Sequence, residues 1–598
     1  MKEDISNRLS ALREVMRREN LAAFIFPSTD PHHGEYVPDH WKGREWISGF
    51  DGSAGTAVVT MESAALWTDS RYFIAAEEQL KGTGFQLMKL KMPETPTIPK
   101  WLGRELLSMS STEIGVDGMV NSLSAVEELI KDMRQNGGIT VRTNFDPLAQ
   151  IWNDRPPIPE SPVEIQPMEY AGESVTSKIQ RVRKALREQH ADGMLVSSLD
   201  DIAWTLNLRG SDVHCTPLFV SYLLISTTKV TLFINPKKLT SEVSQYLQDN
   251  GIAVDGYDQV QKGLQDYFEY NILIDPDETC YTLAKAIKTK EIIRGKSPIP
   301  AMKAIKNEAE IAGFRQAMLK DGIALVKFLK WLKPAVEARG QTEISIDEKL
   351  TSLRAEQPLF RGLSFDTIAG YEEHGAIVHY EATPDTDMAL EPKGLLLLDS
   401  GAQYQDGTTD ITRTIALGEL TEEQRHIYTL VLKGHIQLEL CKFPSGASGT
   451  QMDILARMDL WREGLNYLHG TGHGVGQYLN VHEGPHQFRM EWMPAPFVKN
   501  MTVTDEPGIY LAGRFGVRHE NLLLVVPYME TEFGEFLQFE PLTLCPFDTT
   551  PIMVEMMRDE EIQWLNDYHQ LVFEKLSPYL QQDEVEWLRE ATQPIRRV

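Results

Sequence analysis

Five residues between Leu395 and Glu520 are of types that together could hold metal: Asp399, Asp410, His473, Glu506 and Glu520. The apolar run Leu395-Leu396-Leu397-Leu398 ends in Asp399-Ser400-Gly401, and Asp406-Gly407-Thr408-Thr409-Asp410 comes next. His469-Gly470-Thr471-Gly472-His473-Gly474-Val475-Gly476 follows, then Thr504-Asp505-Glu506-Pro507-Gly508 and Arg518-His519-Glu520-Asn521. A short apolar run reads as a strand buried on both faces. A carboxylate at the end of such a strand is costly unless something pairs with it. Four converging carboxylates would drive one another's pKa values upward, whereas two divalent cations balance their charge. An oxygen-rich set with one imidazole suits manganese or a similar borderline metal better than a thiolate-type zinc site. Two such ions roughly 3.5–4 Å apart can share carboxylates and hold a hydroxide nucleophile between them. That is the chemistry of metal-assisted hydrolysis. Each fragment alone has a plainer reading: an Asp after an apolar run is often a turn residue or a helix cap, and glycines around a histidine often mark only a loop. Asp406-Gly407 reads as such a turn, so Asp406 stays outside the set. The joint order carries the argument.

These motifs, with Asn480-Val481-His482-Glu483-Gly484-Pro485 and Gly49-Phe50-Asp51-Gly52-Ser53-Ala54-Gly55-Thr56 near the start, resemble the Xaa-Pro aminopeptidases, specifically the long, three-domain aminopeptidase P type. The resemblance spans nearly the whole chain and implies hydrolysis of the N-terminal Xaa-Pro bond of peptides with proline in second position. It implies two divalent metal ions per subunit, Mn(II) first, with Zn or Co as alternatives, held by Asp399, Asp410, His473, Glu506 and Glu520. His379 and His482 match positions that contact substrate and stabilise the tetrahedral intermediate, with His473 beside them. Glu506 matches the proposed proton shuttle, and His469 matches a further active-site histidine. Arg71, in Trp67-Thr68-Asp69-Ser70-Arg71-Tyr72-Phe73, matches an N-terminal-domain arginine placed near substrate. A homodimer through the catalytic domain is also implied. One departure is His519, where relatives carry an apolar residue; strand alternation puts Arg518 and Glu520 on one face and His519 on the other. The preference for proline has a physical rationale in its fixed φ and missing N–H, but the residues that would read it are not legible from spacing. His374, His435 and His486 read as structural histidines. His32 and His33, in a loop beside Pro31, read as solvated.

The elements that must position this site belong to a chain of 598 residues, too long for one core. A net charge of −27 argues against a nucleic-acid partner. No apolar run is long enough for a membrane span, and the polar N-terminus lacks an apolar signal core, so a cytoplasmic location is expected. The four cysteines, Cys215, Cys280, Cys441 and Cys545, show no paired spacing and read as buried, reduced thiols.

Ile5, Leu9, Leu12, Val15 and Met16 fall at helical spacing over residues 4–20, followed by the strand-like stretch 21–26 and further strands at 57–60 and 64–68. Val175, Ile179, Val182 and Leu186 open a second module in the same way, before the strand-like 194–196. With Leu12-Arg13-Glu14 and Leu186-Arg187-Glu188 at matching points, the two modules read as related. The expected fold is α/β and α+β: N-terminal α/β domains at 1–155 and 156–299, of the creatinase-like type in the resembling family, then a catalytic pita-bread domain at 300–598. It opens with a long helix from about 305 to 332 and closes with amphipathic helices within 559–591. Rival readings are a prolidase acting on Xaa-Pro dipeptides, a methionine aminopeptidase, and a metal-free peptide- or histone-binding module on the same fold. The long N-terminal region disfavours the second, and the intact ligand set disfavours the third.

Overall fold

The computed structural model describes residues 2–107 and 112–597. Two compact units are present: Met1–Gln166 with Glu173–Ile299, and Pro167–Gly172 with Pro300–Val598.

The first unit contains two six-stranded sheets. In the first, β1 (Ala23–Pro27), β2 (Thr56–Thr60), β3 (Ala64–Thr68), β4 (Gln86–Lys89), β5 (Glu113–Val116) and β6 (Thr140–Arg142) are ordered β4-β3-β2-β1-β5-β6. Antiparallel pairing joins β1 to β2 and β2 to β3, while β3–β4, β1–β5 and β5–β6 are parallel. The second sheet repeats this order and these orientations with Gly193–Val196 in the place of β1 and Ser221–Ser226, Val230–Ile234, Ile252–Asp255, Asn271–Ile274 and Glu291–Arg294 in those of β2 to β6. Each central strand is preceded by an amphipathic helix. Lys2–Arg18 buries Ile5, Leu9, Leu12 and Met16; Val175–Glu188 buries Val175, Ile179, Val182 and Leu186 and is capped by Ser174. The likeness sensed in the sequence is therefore a shared topology.

The expectation that His32 is solvated is overturned. It is 1% exposed, its Nδ1–H donates to the Ser197 carbonyl at 2.8 Å, and its Nε2 lies 2.9 Å from the Tyr257 hydroxyl. Its ring packs 4.5 Å from that of Tyr222, so the loop is folded between the two sheets' side chains, and burial holds His32 near a pKa of about 3. His33 is half-buried rather than solvated, and burial lowers its pKa to about 4. None of the four cysteines forms a disulfide among the described residues, and only Cys280 and Cys545 are buried. Cys215 sits in a turn and Cys441 in the link after a helix, which leaves both half-buried.

The second unit opens with the helix Glu308–Glu337, whose first turn is closed by a reciprocal cap between Asn307 and Glu310. It packs with Glu343–Ala355 against the strand Leu395–Ser400. That strand lies between Ile368–Tyr371 and Ile411–Ala416 in a three-stranded antiparallel sheet. A four-stranded sheet joins Lys442–Pro444, Gly534–Pro541, Asn521–Thr531 and Thr502–Asp505, and short hairpins at Gly472–Gly474/Glu483–Phe488 and Gly508–Leu511/Phe515–Arg518 complete the β structure of the site. The helices Glu422–Glu439 and Gly449–Arg462 back the sheets, and Asp559–Leu576 and Gln582–Ala591 close the chain by packing Leu565, Tyr568, Val572 and Leu588 into the same core. Among the described residues no helix is long and apolar enough to cross a membrane.

Candidate metal centre

Alternation along Leu395–Ser400 sends its leucines into separate cores. Leu396 and Leu398 pack with Phe328, Leu332 and Leu350, and Leu397 packs with Ile368 and Tyr380. A period of two keeps Asp399 on the Leu397 face. Ser400 pairs with Ile411, so the chain returns with Asp410 beside the end of the same strand. Asp505 pairs with Asn521, which sets Glu506 and Glu520 at one end of a second ladder. The His473 segment is tied there too: His473 N donates to Thr504 Oγ1 at 3.0 Å, and Glu506 N donates to the Thr471 carbonyl at 2.7 Å. A Cβ on Gly472 would fall 1.8 Å from the Thr504 carbonyl oxygen, so this approach requires glycine.

Donor atoms of Asp410, His473 and Glu520 all lie within 4.8 Å of one another. His473 Nε2 is 3.4 Å from Asp410 Oδ2 and 3.2 Å from Glu506 Oε1. Its Nδ1–H donates to the Gly474 carbonyl at 2.9 Å, which leaves Nε2 as the free donor atom, the usual arrangement of a metal-binding histidine. Asp399 Oδ1 and Glu520 Oε1 are buried without a hydrogen-bond partner. Two orphaned anionic oxygens beside a correctly set imidazole fit a divalent metal pair of the oxygen-preferring kind.

Electrostatics agree. Burial, then the Asp410 and Glu506 charges, raise Asp399 to a pKa of about 7 against the opposing pull of Arg518. Burial, then Asp410, Glu506 and Asp399, hold Glu520 well above the usual carboxylate range. Burial works against the His473 cation, yet Asp410 and Glu506 outweigh it and hold His473 well above its ordinary value. Burial likewise opposes ionisation of Glu506, but His473 prevails and pulls it down to about 2. Protons thus do in part what bound cations would do.

Four buried basic residues fasten the ligand-bearing segments, and these were not singled out from the sequence. Lys320 Nζ donates to both oxygens of Asp406 at 2.7 and 2.8 Å, tying the Asp406–Asp410 loop to the helix Glu308–Glu337. Asp406 stands in the turn that the sequence suggests, and there it is also a buried ion-pair residue. Arg413 donates to the Glu520 carbonyl at 2.6 Å, and to Asn521 Oδ1 and the Cys545 carbonyl at 2.8 Å each. Arg457 donates to the His469 carbonyl at 2.9 Å and pairs with Asp453 at 2.6 Å. Arg518 donates to Asp399 Oδ2 from Nη2 at 2.7 Å and from Nε at 3.1 Å. Basic residues in such numbers are ordinary in any sequence; only the fold shows which ones are buried against ligand segments.

The remaining candidates occupy distinct places. His482 is half-buried with its ring 4.3 Å from that of His473, edge to face. His379 is half-buried, immediately after Val378, whose carbonyl accepts from Arg518 at 3.3 Å. His469 Nδ1–H donates to the Gly470 carbonyl at 2.7 Å, and its Nε2 accepts from the Tyr510 hydroxyl at 2.7 Å; burial keeps it neutral with a pKa near 4. Tyr510 in turn accepts from Arg518 Nη1 at 2.8 Å, so a continuous chain runs Asp399–Arg518–Tyr510–His469. Arg71 belongs to the first unit, where Asp69 takes its Nε and Nη2 at 2.9 Å each and Glu35 lies 3.3 Å from Nη1. His519 follows the end of the Phe515–Arg518 strand and packs against Tyr428 and Phe547, away from Arg518 and Glu520, which meet at Thr412. His374 bonds Glu343 at 2.9 Å and His486 bonds the Thr502 carbonyl at 2.7 Å.

Models of the creatinase/prolidase N-terminal domain match residues 8–143 and 154–310, metallopeptidase family M24 matches 312–527, and the C-terminal region of peptidase M24 matches 535–595. The chain is similar to aminopeptidase P1 of Arabidopsis thaliana, 37% identical over 647 residues that cover 99% of each protein. The chain belongs to the aminopeptidase P family of M24 metallopeptidases. Xaa-Pro aminopeptidase 1 of Dictyostelium discoideum is 38% identical, with 99% of this chain and 97% of that protein covered. Among solved structures, an X-prolyl aminopeptidase of Caenorhabditis elegans, described as a cytosolic enzyme with a di-nuclear active site, superposes with a TM-score of 0.94 at 34% identity, covering 99% of this chain and 100% of that one. An Xaa-Pro dipeptidase of Bacillus anthracis reaches a TM-score of 0.51 at 26% identity and covers only 63% of this chain. The expected architecture, creatinase-like α/β modules followed by a pita-bread domain, is that of this family member.

Tyr510 links Arg518 to His469 without touching a ligand oxygen. Tyr510→Phe should lower kcat/KM by roughly 10–100-fold, the usual cost of removing a group that orients a metal site's ligands. Unchanged kcat/KM in a folded variant would show that the chain of hydrogen bonds does not support the site.

Proposed function

We propose that this chain releases the first residue from peptides carrying proline in second position, with Asp399, Asp410, His473, Glu506 and Glu520 holding two Mn(II) ions. The observation that supports this most is a likeness to aminopeptidases P over the full length of both chains, joined to an intact set of donors with orphaned oxygens. Bound divalent ions supply Lewis acidity and an acidified water. Everything else falls to the protein. Glu506 accepts a proton and passes it to the leaving proline nitrogen. His482, packed on His473, and His379 donate toward the developing oxyanion. His469, neutral and fixed by Tyr510, lines the same site. For Arg71, a substrate contact is supported by the family resemblance alone.

Manganese rather than zinc or cobalt is favoured by the four carboxylates against one imidazole. A cytosolic location follows the description of the Caenorhabditis elegans neighbour. For homodimerisation through the catalytic unit, the support is an exposed apolar face: Ile454 and Trp461 lie seven residues apart on one helix, Trp461 Nε1 holds the loop leading to exposed Leu468 through Asn466, and Thr450 holds the loop with exposed Trp492.

Metal-stripped protein reloaded with Mn2+ should release free arginine from Arg-Pro-Pro and not from Arg-Ala-Pro, and protein left without metal should release none. Asp410→Ala should lose turnover and the metal pair together. Preferential cleavage of Arg-Pro would indicate a prolidase, and retained turnover in Asp410→Ala would refute the ligand set. Sedimentation equilibrium should give twice the chain mass; a monomeric mass would remove the dimer.

A further inference from the structure

Behind the strand that leads to Glu506 lies a second group of metal-binding residue types that the mechanism does not use. His435 and Glu439 stand one helical turn apart on Glu422–Glu439, and Asp505 ends the facing strand Thr502–Asp505. All three are buried, His435 and Asp505 at 0% exposure and Glu439 at 3%, and their donor atoms lie within 4.8 Å of one another. The polar accounting is incomplete. Both oxygens of Asp505, Oε2 of Glu439 and Nε2 of His435 have no hydrogen-bond partner. Among the described neighbours, Asn521 Nδ2 donates to Glu439 Oε1 at 2.8 Å, which leaves the other oxygen bare.

The tautomer of His435 is set by its surroundings. Nδ1 lies 3.1 Å from the main-chain carbonyl of Asp505, a group that can only accept, and 3.3 Å from the Asp505 Oδ2, so Nδ1 carries the hydrogen. In the neutral ring Nε2 then presents a lone pair, and it faces Glu439 Oε1 at 3.0 Å without the alignment of a hydrogen bond. A lone pair and a carboxylate oxygen at that distance repel unless a proton or a metal cation lies between them. Two donors 3.0 Å apart subtend a right angle at an ion about 2.1 Å from each, an ordinary octahedral edge. His473 in the dinuclear centre is prepared by the same device, with its Nδ1–H given to a carbonyl and its Nε2 turned toward carboxylates.

We propose that His435, Glu439 and Asp505 bind a third divalent cation, separate from the dinuclear pair. Two buried carboxylates and one neutral imidazole sum to the charge that one divalent ion cancels, and a first-row ion that accepts both oxygen and imidazole fits the donor set. Consecutive strand residues face opposite ways, so this ion sits on the back of the segment that presents Glu506 and ties the Glu422–Glu439 helix to it. Its role is structural, fixing the reach of Glu506 from behind.

The test is metal content of the whole enzyme loaded with Mn2+ and freed of excess ion, measured by mass spectrometry. The wild type should hold three equivalents, Glu439→Gln two, and Asp410→Ala one, the last arm separating this site from the dinuclear ligand set. Two equivalents in both the wild type and Glu439→Gln, or complete metal loss in Asp410→Ala, would overturn the third site. Because Glu439→Gln removes a buried group, a second measurement uses only wild-type crystals soaked in Zn2+. An anomalous peak beside His435 Nε2 is expected, and its absence overturns the proposal.

Discussion

Mutual repulsion among buried carboxylates is the constraint on which the catalytic unit depends. Asp399, Asp410, Glu506 and Glu520 are brought together from two β ladders, each from a segment that alone would fold without difficulty. Apart from cations, the protein sets protons, His473 and Arg518 against that charge, with hydroxyl donors from Thr412 and Thr504. The result is a site in which Asp399 and Glu520 are pushed toward the neutral acid while Glu506 stays ionised against His473. A site so strained without cations is poised to take them.

The rest of the unit answers to that constraint. Lys320, Arg413, Arg457 and Arg518 are each buried, and each grips a different ligand-bearing segment. A buried ion pair is weak support for stability in general, because desolvation offsets much of its attraction. Here the pairs act as fixtures: they hold carboxylates and loops at defined positions that an apolar core would leave to slide. Arg413 extends this to the C-terminal helices, since its Nη2 also lies 3.1 Å from the Tyr568 hydroxyl and its guanidinium stacks 3.8 Å from the Phe547 ring centre. The C-terminal segment is thereby part of the support of Glu520.

Much of this was legible in the chain because it is written in local pattern. The leucine run before Asp399, the glycines around His473 and the helical stripes at Ile5–Met16 and Val175–Leu186 are short-range signals, and the corresponding elements form where expected. Long-range burial has no such signature. His32 looked like a loop residue beside Pro31, yet Ser197, Tyr222 and Tyr257, far along the chain, enclose it. Asp406 reads as no more than a turn residue because the partner that buries it, Lys320, lies 86 residues away. Tyr510 carries no motif of its own, and its importance comes only from standing between Arg518 and His469. His435 read as one more structural histidine, and its unpaired Nε2 becomes visible only once Glu439 and Asp505 are placed around it.

Thermal unfolding of the catalytic unit, with and without metal and across pH, tests the electrostatic account most directly. Asp399 is protonated in the metal-free fold up to a pKa of about 7 but ionises at its ordinary value of 3.8 when unfolded, so the folded state binds the extra proton between those values. Glu520 and His473 are shifted the same way. These groups therefore make the metal-stripped fold lose stability relative to the loaded one as pH rises from about 4 through 7, while the buried neutral His469, His486, His519 and His569 act in the opposite direction in both forms and cancel in the comparison. The metal-loaded protein, whose ions displace those protons, should not share that loss. The predicted result is a gap in Tm between loaded and stripped protein that widens steadily toward neutral pH. A gap that is absent, or constant across that range, would contradict the view that bound cations are what make this cluster of carboxylates stable.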